Sequence, residues 1–483
     1  MRVCATLILF LALVGSALAD VEQGVQAWER ADYRAALEQF KPAAEQGDAR
    51  AQFYLAEAYN LGRGTVQDYA EALKWYRKAA DGGNVEAQDK LCTAYFFGEN
   101  IIRKDEAAAA NVCAGVARGG GKVYAAFLAG YLYDFGKGVE ADPARAAEFY
   151  KIAAEGGNAD AQDALGRMYF FGQGVAQDYA EAAKWNLKVA EAGRPYPQYL
   201  VGYAYDYGRG LDQNDEEAAK WYRKAADQGD ARALSALGYL YSQGRGVAKD
   251  EAEAVKLYLQ AADKGETSVY ALLGWAYYQG AGAQKSDADA AKWFEKAGEL
   301  GEANSQYMLG FLYEDGSGVK QDYAEAAKWY TKAAEQGLTG AQEALARLYF
   351  AGQGVEQDYA AAAKWYKAPA EEGSTYAQYI LGYLYESGKG LPPDPAEAVK
   401  WYKKAADKGD VRSQMALGFL LADAKGDNQD LITAHMWSNL AAAQMSGEER
   451  KTAEQQREYI ASKLTSEQLV KAQQMARDWK PNQ

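Results

Sequence analysis

Apolar and polar positions recur along this chain with a period of about 36 residues. In one clear copy, Asp68-Tyr69 leads through alanines at helical spacing to Trp75-Tyr76 and then to Gly83. Apolar residues spaced three and four apart form one face of an α-helix. The Trp position is marked along the chain by Trp75, Val112, Phe149, Trp185, Trp221, Leu257, Trp293, Trp329, Trp365, Trp401 and Trp437. The pattern predicts one helix per period, here called helix B.

A second helix, helix A, is predicted before each helix B. It carries Ala161-Gln162, Leu165-Gly166 and Tyr169 in one copy and ends at a Gly-x-Gly-Val loop, residues 172–175. Leu and Tyr four residues apart lie on one face. The glycine after the Leu allows helix B to approach closely, so the two helices are expected to pack as a pair.

The ends of helix B carry capping signals. Asp68 followed by Glu71 predicts an N-cap with a carboxylate version of the capping box. Gly83 fits the left-handed position that follows a helix. Two further helices are expected near the chain end, the second capped by Thr465 with Gln468.

Neither helix can bury its apolar face alone, so copies must stack. The predicted fold class is all-α, an α/α superhelical solenoid of helix-pair repeats with a C-terminal capping helix pair. The predicted organisation is a signal peptide (1–19), an incomplete N-terminal repeat (20–46), an array of about eleven repeats (47–445) and capping helices (446–483).

These motifs together resemble the Sel-1-like repeat family, relatives of the tetratricopeptide repeats. The resemblance rests on Ala-Gln, Leu-Gly-x-x-Tyr, Gly-x-Gly-Val, Asp-Tyr-x-x-Ala-x-x-Trp-Tyr and Ala-Ala-x-x-Gly, and it covers residues 30 to about 445. It implies an adaptor or scaffold with no general catalytic activity and no fixed ligand.

The net charge and the N-terminal sequence limit the classes of partner and the cellular compartment that we expect for this protein. The net charge is −14 without a Lys/Arg cluster, which disfavours nucleic acid. Arg2, the apolar run from Val3 to Val14 and Ala17-Leu18-Ala19 resemble a signal peptide. The run is shorter than the roughly 20 residues of a membrane span. We expect an exported protein beginning at Asp20, periplasmic rather than secreted or displayed on the outer surface.

Two cysteines, Cys92 and Cys113, follow the predicted signal peptide, both within one repeat. An oxidising compartment would favour a disulfide between them. They replace a Gly and a Tyr of the repeat pattern, so the alternative is two small core residues whose Cα atoms lie too far apart to bridge.

One face of helix A is the expected partner-binding surface. On a helical wheel, the positions two before and two, five and six after the Leu lie opposite the side that faces helix B, and by analogy with tetratricopeptide repeats they line a concave wall. Aromatic rings there are typical anchors for partners. The predicted binding residues are Tyr131, Asp134, Tyr199, Tyr203, Asp206, Tyr207, Tyr239, Trp275, Tyr278, Tyr307, Phe311, Tyr379 and Tyr383.

The wall is therefore expected to be aromatic and acidic and to bind a protein or peptide. Alternatively, the rings fill the seam between neighbouring A helices, or they stack on an envelope polysaccharide or peptidoglycan strand. The stretch Arg194-Pro195-Tyr196-Pro197 breaks the repeat and is a candidate specialised site.

Catalysis and cofactors are not expected. His435 is the only histidine, which excludes His-based triads and multi-His metal sites, and it is expected at the surface or in a cap. The Trp positions are expected to be packing, and the Gly-x-Gly loop follows a helix and not a strand, so it is no nucleotide cradle. A carboxylate-based hydrolase is the remote alternative.

Overall fold

The computed structural model describes residues 21–100, 102–120, 122–423 and 428–482; the predicted signal peptide lies outside them. The described residues are helical, with one isolated bridge between Glu99 and Ile102 and no longer strand. The chain divides into two compact units, Met1–Lys249 and Asp250–Gln483.

Within each unit successive A and B helices pack as pairs; α13 is the last helix of the first unit and α14 the first of the second. Odd-numbered helices up to α23 are A helices and even-numbered helices up to α24 are B helices. The first unit contains α1 (21–29), α2 (Tyr33–Glu45), α3 (Ala49–Leu61), α4 (Tyr69–Asp81), α5 (Val85–Phe97), α6 (Glu106–Arg118), α7 (Val123–Asp134), α8 (Pro143–Glu155), α9 (Ala159–Phe171), α10 (Tyr179–Glu191), α11 (Pro195–Tyr207), α12 (Asp215–Asp227) and α13 (Ala231–Gln243). The second contains α14 (Glu251–Asp263), α15 (Tyr270–Gln279), α16 (Asp287–Glu299), α17 (Ala303–Asp315), α18 (Tyr323–Glu335), α19 (Thr339–Ala351), α20 (Tyr359–Glu372), α21 (Thr375–Ser387), α22 (Pro395–Asp407), α23 (Val411–Asp423), α24 (Asn428–Gln444), α25 (Gly447–Ala461) and α26 (Ser466–Asp478).

The helix ends follow the capping signals with one difference. Asp68 accepts hydrogen bonds from the backbone N–H groups of Ala70 and Glu71 at 2.9 and 3.0 Å. The Glu71 side chain bonds Lys74 at 2.9 Å instead of returning to the N-cap, so the predicted capping box is reduced to a simple cap. The reciprocal box is present at Thr465 and Gln468. The glycines predicted at the left-handed position after helix B, such as Gly83, have positive φ.

The two helices of a pair meet at the glycine of helix A. A Cβ added to Gly202 would lie 2.6 Å from Cδ1 of Tyr222 on helix B, and one added to Gly310 would lie 2.7 Å from Cδ1 of Tyr330. Both tyrosines are 1% exposed. The ring of helix B therefore fills the space that a side chain on helix A would need.

Consecutive pairs are joined by the second glycine of the Gly-x-Gly loop. At Gly210, where φ is +78°, an added Cβ would lie 2.0 Å from the carbonyl oxygen of Tyr179, in the first residue of the preceding helix B. The Gln of the Ala-Gln motif strengthens the same junction, since the Nε2 of Gln162 donates to the carbonyl of Ala154 at 3.0 Å.

The third pair replaces the glycine–tyrosine contact with sulfur. Cys92 on α5 and Cys113 on α6 occupy those two positions, and their Sγ atoms are 2.08 Å apart in a disulfide. Their Cα atoms are 4.9 Å apart, so the alternative that the two residues lie too far apart to bridge is wrong.

The last two helices, α25 and α26, follow the array. The Trp479 ring, just after α26, makes an edge contact with Trp437 on α24, with centroids 5.8 Å apart. The backbone N–H of Asn482 donates to the carbonyl of Asp407 at 2.7 Å. The C-terminal segment thus packs against the last two B helices, while the predicted domain boundaries remain predictions.

The glycine–tyrosine contact gives the first test. Gly202→Ala should lower the free energy of unfolding by about 1–3 kcal/mol, because the methyl group overlaps the Tyr222 ring. Gly115→Ala is the matched control: it is helical, and no atom lies within 4 Å of its added Cβ. Urea denaturation should show the control to be neutral or up to about 1 kcal/mol more stable. Equal stability of both variants would contradict the packing argument.

The cysteine pair gives the second test. The chain from residue 21, produced in an oxidising compartment, should show no free thiol when denatured without reductant. Closing a loop with a sequence separation of 21 residues should stabilise the chain by about 3 kcal/mol. Hydrogen exchange should therefore accelerate in α5 and α6 after reduction, and two titratable thiols in the unreduced chain would refute the bridge.

Candidate functional site

The predicted binding residues differ widely in exposure. Tyr207 and Tyr239 are 55% and 44% exposed, whereas Asp206 is only 4% exposed. The remaining ten are half-buried: Tyr131, Asp134, Tyr199, Tyr203, Trp275, Tyr278, Tyr307, Phe311, Tyr379 and Tyr383. The surface that these positions form is called the A-helix face below. It is much less open than the sequence suggests.

The position two before the Leu contacts helix B. Tyr199 lies 5.7 Å from Tyr222 between ring centroids, and Tyr379 lies 5.9 Å from Tyr402. The expectation that this position points away from helix B is therefore wrong. The glycine of helix A brings helix B so close that its tyrosine ring reaches the flank of helix A. Burial raises the pKa of Tyr199 to about 12.

Carboxylates of the A-helix face accept hydrogen bonds from buried tyrosines of helix B. The phenol of Tyr222 donates to Asp206 at 3.2 Å, and the phenol of Tyr402 donates to Glu386 at 2.6 Å. Burial, followed by the nearby carboxylate, raises the pKa of Tyr222. A buried hydroxyl needs an acceptor, so the acid five residues after the Leu satisfies the tyrosine that packs on the glycine.

Neighbouring A helices share a seam of paired side chains. The Phe170 and Tyr203 rings are 5.4 Å apart, edge to face. In the second unit, Glu314 pairs with Arg347 at 2.8 Å, and the Phe350 and Tyr383 rings are 6.1 Å apart. The alternative that rings fill the seam therefore holds for Tyr203 and Tyr383.

Cations from the Gly-x-Gly loops reach the same face. Arg245 bonds Asp206 at 2.7 Å and Asp215 at 2.6 Å, and Lys389 donates to the phenol of Tyr383 at 2.7 Å. The hydrogen bond to Asp215 raises the pKa of Arg245 further. The sequence analysis missed these residues, although basic residues recur between the two glycines. The acidity of the face is thus partly neutralised.

The stretch that breaks the repeat starts α11. Arg194 pairs with Asp160 at 2.8 Å. The Tyr196 ring stacks on Tyr199 with centroids 6.1 Å apart, and the Arg232 guanidinium lies 4.8 Å from the Tyr196 ring centroid. These contacts form a continuous cation and ring stack on the A-helix face. A specialised binding role for this stretch remains a prediction.

The A-helix face contains a hollow at α21, α23 and α25. This terminal groove has a volume of about 840 Å³. Its walls include Tyr379, Tyr383, Met415, Phe419 and Tyr459. Phe419 and Tyr459 are 42% and 57% exposed. Tyr459 belongs to α25, outside the repeat pattern, so the periodicity of the sequence could not predict its place in the groove.

Potential metal ligands do not cluster in the described part of the chain. It holds no group of three potential His, Cys, Asp or Glu metal ligands. His435 is 3% exposed, so its expected place at the surface or in a cap is wrong. Burial lowers its pKa, with Arg457 a second cause. Among the described helices, none combines the length and the apolar character needed to cross a bilayer.

The Arg245 network gives the third test. Arg245→Met should lower the free energy of unfolding by about 2–3 kcal/mol, because Asp206 would remain buried without its cation. Lys220→Met, which breaks an exposed pair with Glu217, should change it by no more than about 1 kcal/mol. Adding Asp206→Asn to Arg245→Met should recover part of the loss in urea denaturation. Equal losses for Arg245→Met and Lys220→Met would count against the network.

Comparisons with known proteins give a consistent result. A family model described as Sel1 repeat matches residues 18–48, 49–84, 85–111, 123–158, 159–193, 198–230, 231–266, 268–302, 303–338, 339–374, 375–410 and 411–444. Each of the twelve matches begins at or within a few residues of the start of an A helix, and the third ends within α6. The incomplete first copy thus counts as a repeat.

Solved structures agree. The crystal structure of c5321, a protective antigen present in uropathogenic Escherichia coli strains displaying an SLR fold, is 33% identical; the match covers 92% of this chain and 94% of that one, with a TM-score of 0.60. A Sel1 repeat protein from Oxalobacter formigenes is 32% identical over 50% of this chain and 96% of its own, with a TM-score of 0.40. No curated protein matches the chain.

The helix pairs, their glycine contacts and the repeat matches all lead to one assignment. Solenoids of this kind are commonly protein-interaction scaffolds and are typically non-catalytic. This chain belongs to the Sel1 repeat family.

Proposed function

We propose that the protein is an exported, non-enzymatic scaffold that binds a peptide segment of a partner protein on the A-helix face. The observation that carries the proposal is the terminal groove, because it combines volume, exposed rings and an uneven charge. Ligand sites are concave and largely apolar with a few polar groups. The groove has this character, while much of the remaining face is committed to internal contacts.

The chemistry of the groove favours a peptide. Met415 and Met445 lie among its walls. Methionine adapts to varied apolar side chains and is frequent at peptide-binding surfaces. Phe419 and Tyr459 supply rigid rings with exposed area. An extended segment with one or two apolar side chains fits this combination.

Charge at the groove favours a cationic segment. Glu386, Asp423 and Glu449 line it together with one cation, Arg412. Arg412 is already paired with Asp410 at 3.3 Å. Carboxylates outnumber cations among the lining residues, while Lys389 and Lys463 contact the Tyr383 and Tyr459 rings from outside the lining. Binding of a cationic segment should weaken as salt rises.

A glycan is the second candidate ligand, and the same groove disfavours it. Sugars stack on free ring faces, but the guanidinium of Arg412 lies 4.7 Å from the Tyr379 ring centroid and occupies one face. The Nζ of Lys463 likewise lies 4.1 Å from the Tyr459 ring centroid. Tyr459 is nevertheless 57% exposed, so the test includes carbohydrate. The periplasm is the proposed compartment, on the strength of the signal-peptide pattern at residues 1–19.

The test starts from a displayed library of random peptides and a glycan array, both selected on the chain from residue 21. Peptides with apolar and basic residues should be enriched, and Phe419→Ala with Tyr459→Ala should weaken them at least tenfold in fluorescence anisotropy. Two partner-contacting rings at roughly 1 kcal/mol or more each account for that loss. Both side chains are exposed, so circular dichroism should be unchanged.

Tyr124→Ala is the matched control, since Tyr124 is 44% exposed on α7, in the other unit. It should leave peptide affinity unchanged. If the double variant binds the selected peptides as tightly as the wild type, the groove is not the site. If only glycans are selected, the peptide assignment gives way to the carbohydrate one.

A further inference from the structure

The B helices carry a second recurrent feature, a buried tryptophan with a lysine one turn later. Trp75, Trp185, Trp221, Trp329 and Trp401 are at most 9% exposed. In six copies the lysine Nζ lies 3.6–4.5 Å from the indole centroid: Lys78–Trp75, Lys188–Trp185, Lys224–Trp221, Lys296–Trp293, Lys332–Trp329 and Lys404–Trp401. Each tryptophan is thus held as a ring covered by a cation.

The tryptophan lies between helix B of the preceding pair and helix A of its own pair. Trp221 on α12 forms a hydrophobic cluster with Ala190 of α10 and Val201 of α11, and Leu187 and Tyr205 pack against this cluster. Those four residues form the walls of the indole site. The lysine of α12, Lys224, closes the site from outside at 3.7 Å.

Val112 and Leu257 replace the tryptophan with an aliphatic side chain, and the copy at Val112 keeps the walls of the indole site. In α6 the tryptophan is replaced by Val112 and the lysine by Gly115. The wall positions that match those around Trp221 are Arg77, Ala80, Leu91 and Tyr95, and all four line a pocket of about 400 Å³, the Val112 pocket. Val112 and Gly115 line it from α6, and the lining also includes Asp81, Gln88 and Asn111. No atom lies within 4 Å of a Cβ added to Gly115.

The walls of the Val112 pocket are held in place. Leu91 and Tyr95 belong to α5 while Val112 and Gly115 belong to α6, and the sulfur atoms of Cys92 and Cys113 join these two helices. Helix α4 contributes Arg77 and Ala80. A pre-formed pocket spares the entropy of ordering its walls when a ligand enters.

Charge in the pocket also matches an aromatic ring. The Arg77 Nε donates to the Tyr95 hydroxyl at 3.0 Å, which places its guanidinium inside the pocket lining. Arginine stacks on ring faces and attracts their negative π-surface. Arg77 could therefore contact an entering ring as a cation, in the way that Lys224 contacts the ring of Trp221.

We propose that the Val112 pocket is a binding site for an exposed tryptophan side chain of a partner protein. The ring would pack on Ala80 and Leu91. These two residues correspond to Ala190 and Val201, which form a cluster with Trp221 of α12. Arg77 and Tyr95 would cover it. The site lies on helices α4–α6 and does not depend on the terminal groove, so either can fail without the other.

The test uses N-acetyl-5-fluorotryptophanamide as probe and its fluorine linewidth as readout. Saturable broadening is expected with the wild type, and N-acetyl-leucinamide should not compete at equal concentration. Val112→Trp should weaken the probe at least tenfold, because the new ring fills the pocket as Trp221 fills its own site. Phe419→Ala with Tyr459→Ala should bind the probe like the wild type.

A transplant makes the test sharper. Adding Trp221→Val and Lys224→Gly to Val112→Trp opens the equivalent site on α10 and α11, and probe binding should return. Unchanged binding in Val112→Trp, or no recovery in the transplant, would overturn the proposal. Equal competition by N-acetyl-leucinamide would also overturn it, because the pocket would then be merely apolar.

A third variant guards against loss of folding in Val112→Trp. Gly115→Lys adds an exposed side chain where no atom is close, so the fold should persist. It restores the covering cation and should tighten the probe several-fold, whereas Gly115→Gln should not. An equal effect of both, or none, would argue against a ring-binding site.

Discussion

The structure depends on the contact between a glycine of helix A and a tyrosine of helix B. Without a side chain at Gly202, the Tyr222 ring lies within van der Waals reach of the helix A backbone, and the same arrangement returns at Gly310 and Tyr330. A buried tyrosine then brings a hydroxyl into the packed region, and this hydroxyl needs an acceptor. In the repeats that have this glycine and tyrosine, the distance between the helices and the hydrogen bonding of the tyrosine hydroxyl are therefore linked.

The hydrogen bonds of the buried tyrosine hydroxyls limit the surface that is available to partners. Asp206 and Glu386 accept from the tyrosine hydroxyls, and Arg245 in turn neutralises Asp206. Residues that a helical wheel places on an open wall are thus consumed by packing in the middle of each unit. Phe419 and Tyr459 are exposed in the terminal groove, where α25 replaces a regular repeat, while Tyr207 and Tyr239 are exposed in the first unit.

Irregular copies are informative because the regular ones define what belongs at each position. In the third pair a disulfide stands where glycine meets tyrosine, and Val112 stands where an indole is usually buried. The first change keeps the helices together and the second leaves a pocket between them. The neighbouring copies show which ring fits there and which cation covers it.

The sequence by itself determined the helices, their caps, the pairing and the need to stack. These follow from local periodicity and from residues such as Asp68 and Gly83, whose preferences act within a few positions along the chain. The half-burial of Tyr199, the pairing of Asp206 with Arg245 and the contribution of Tyr459 to the groove were decided only by tertiary structure. Their partners lie on other helices at distances that depend on how closely the glycine lets two helices approach, and a helical wheel contains no neighbour. Single-helix periodicity reports which residues share a side, whereas the space on that side is set by the packing of several helices.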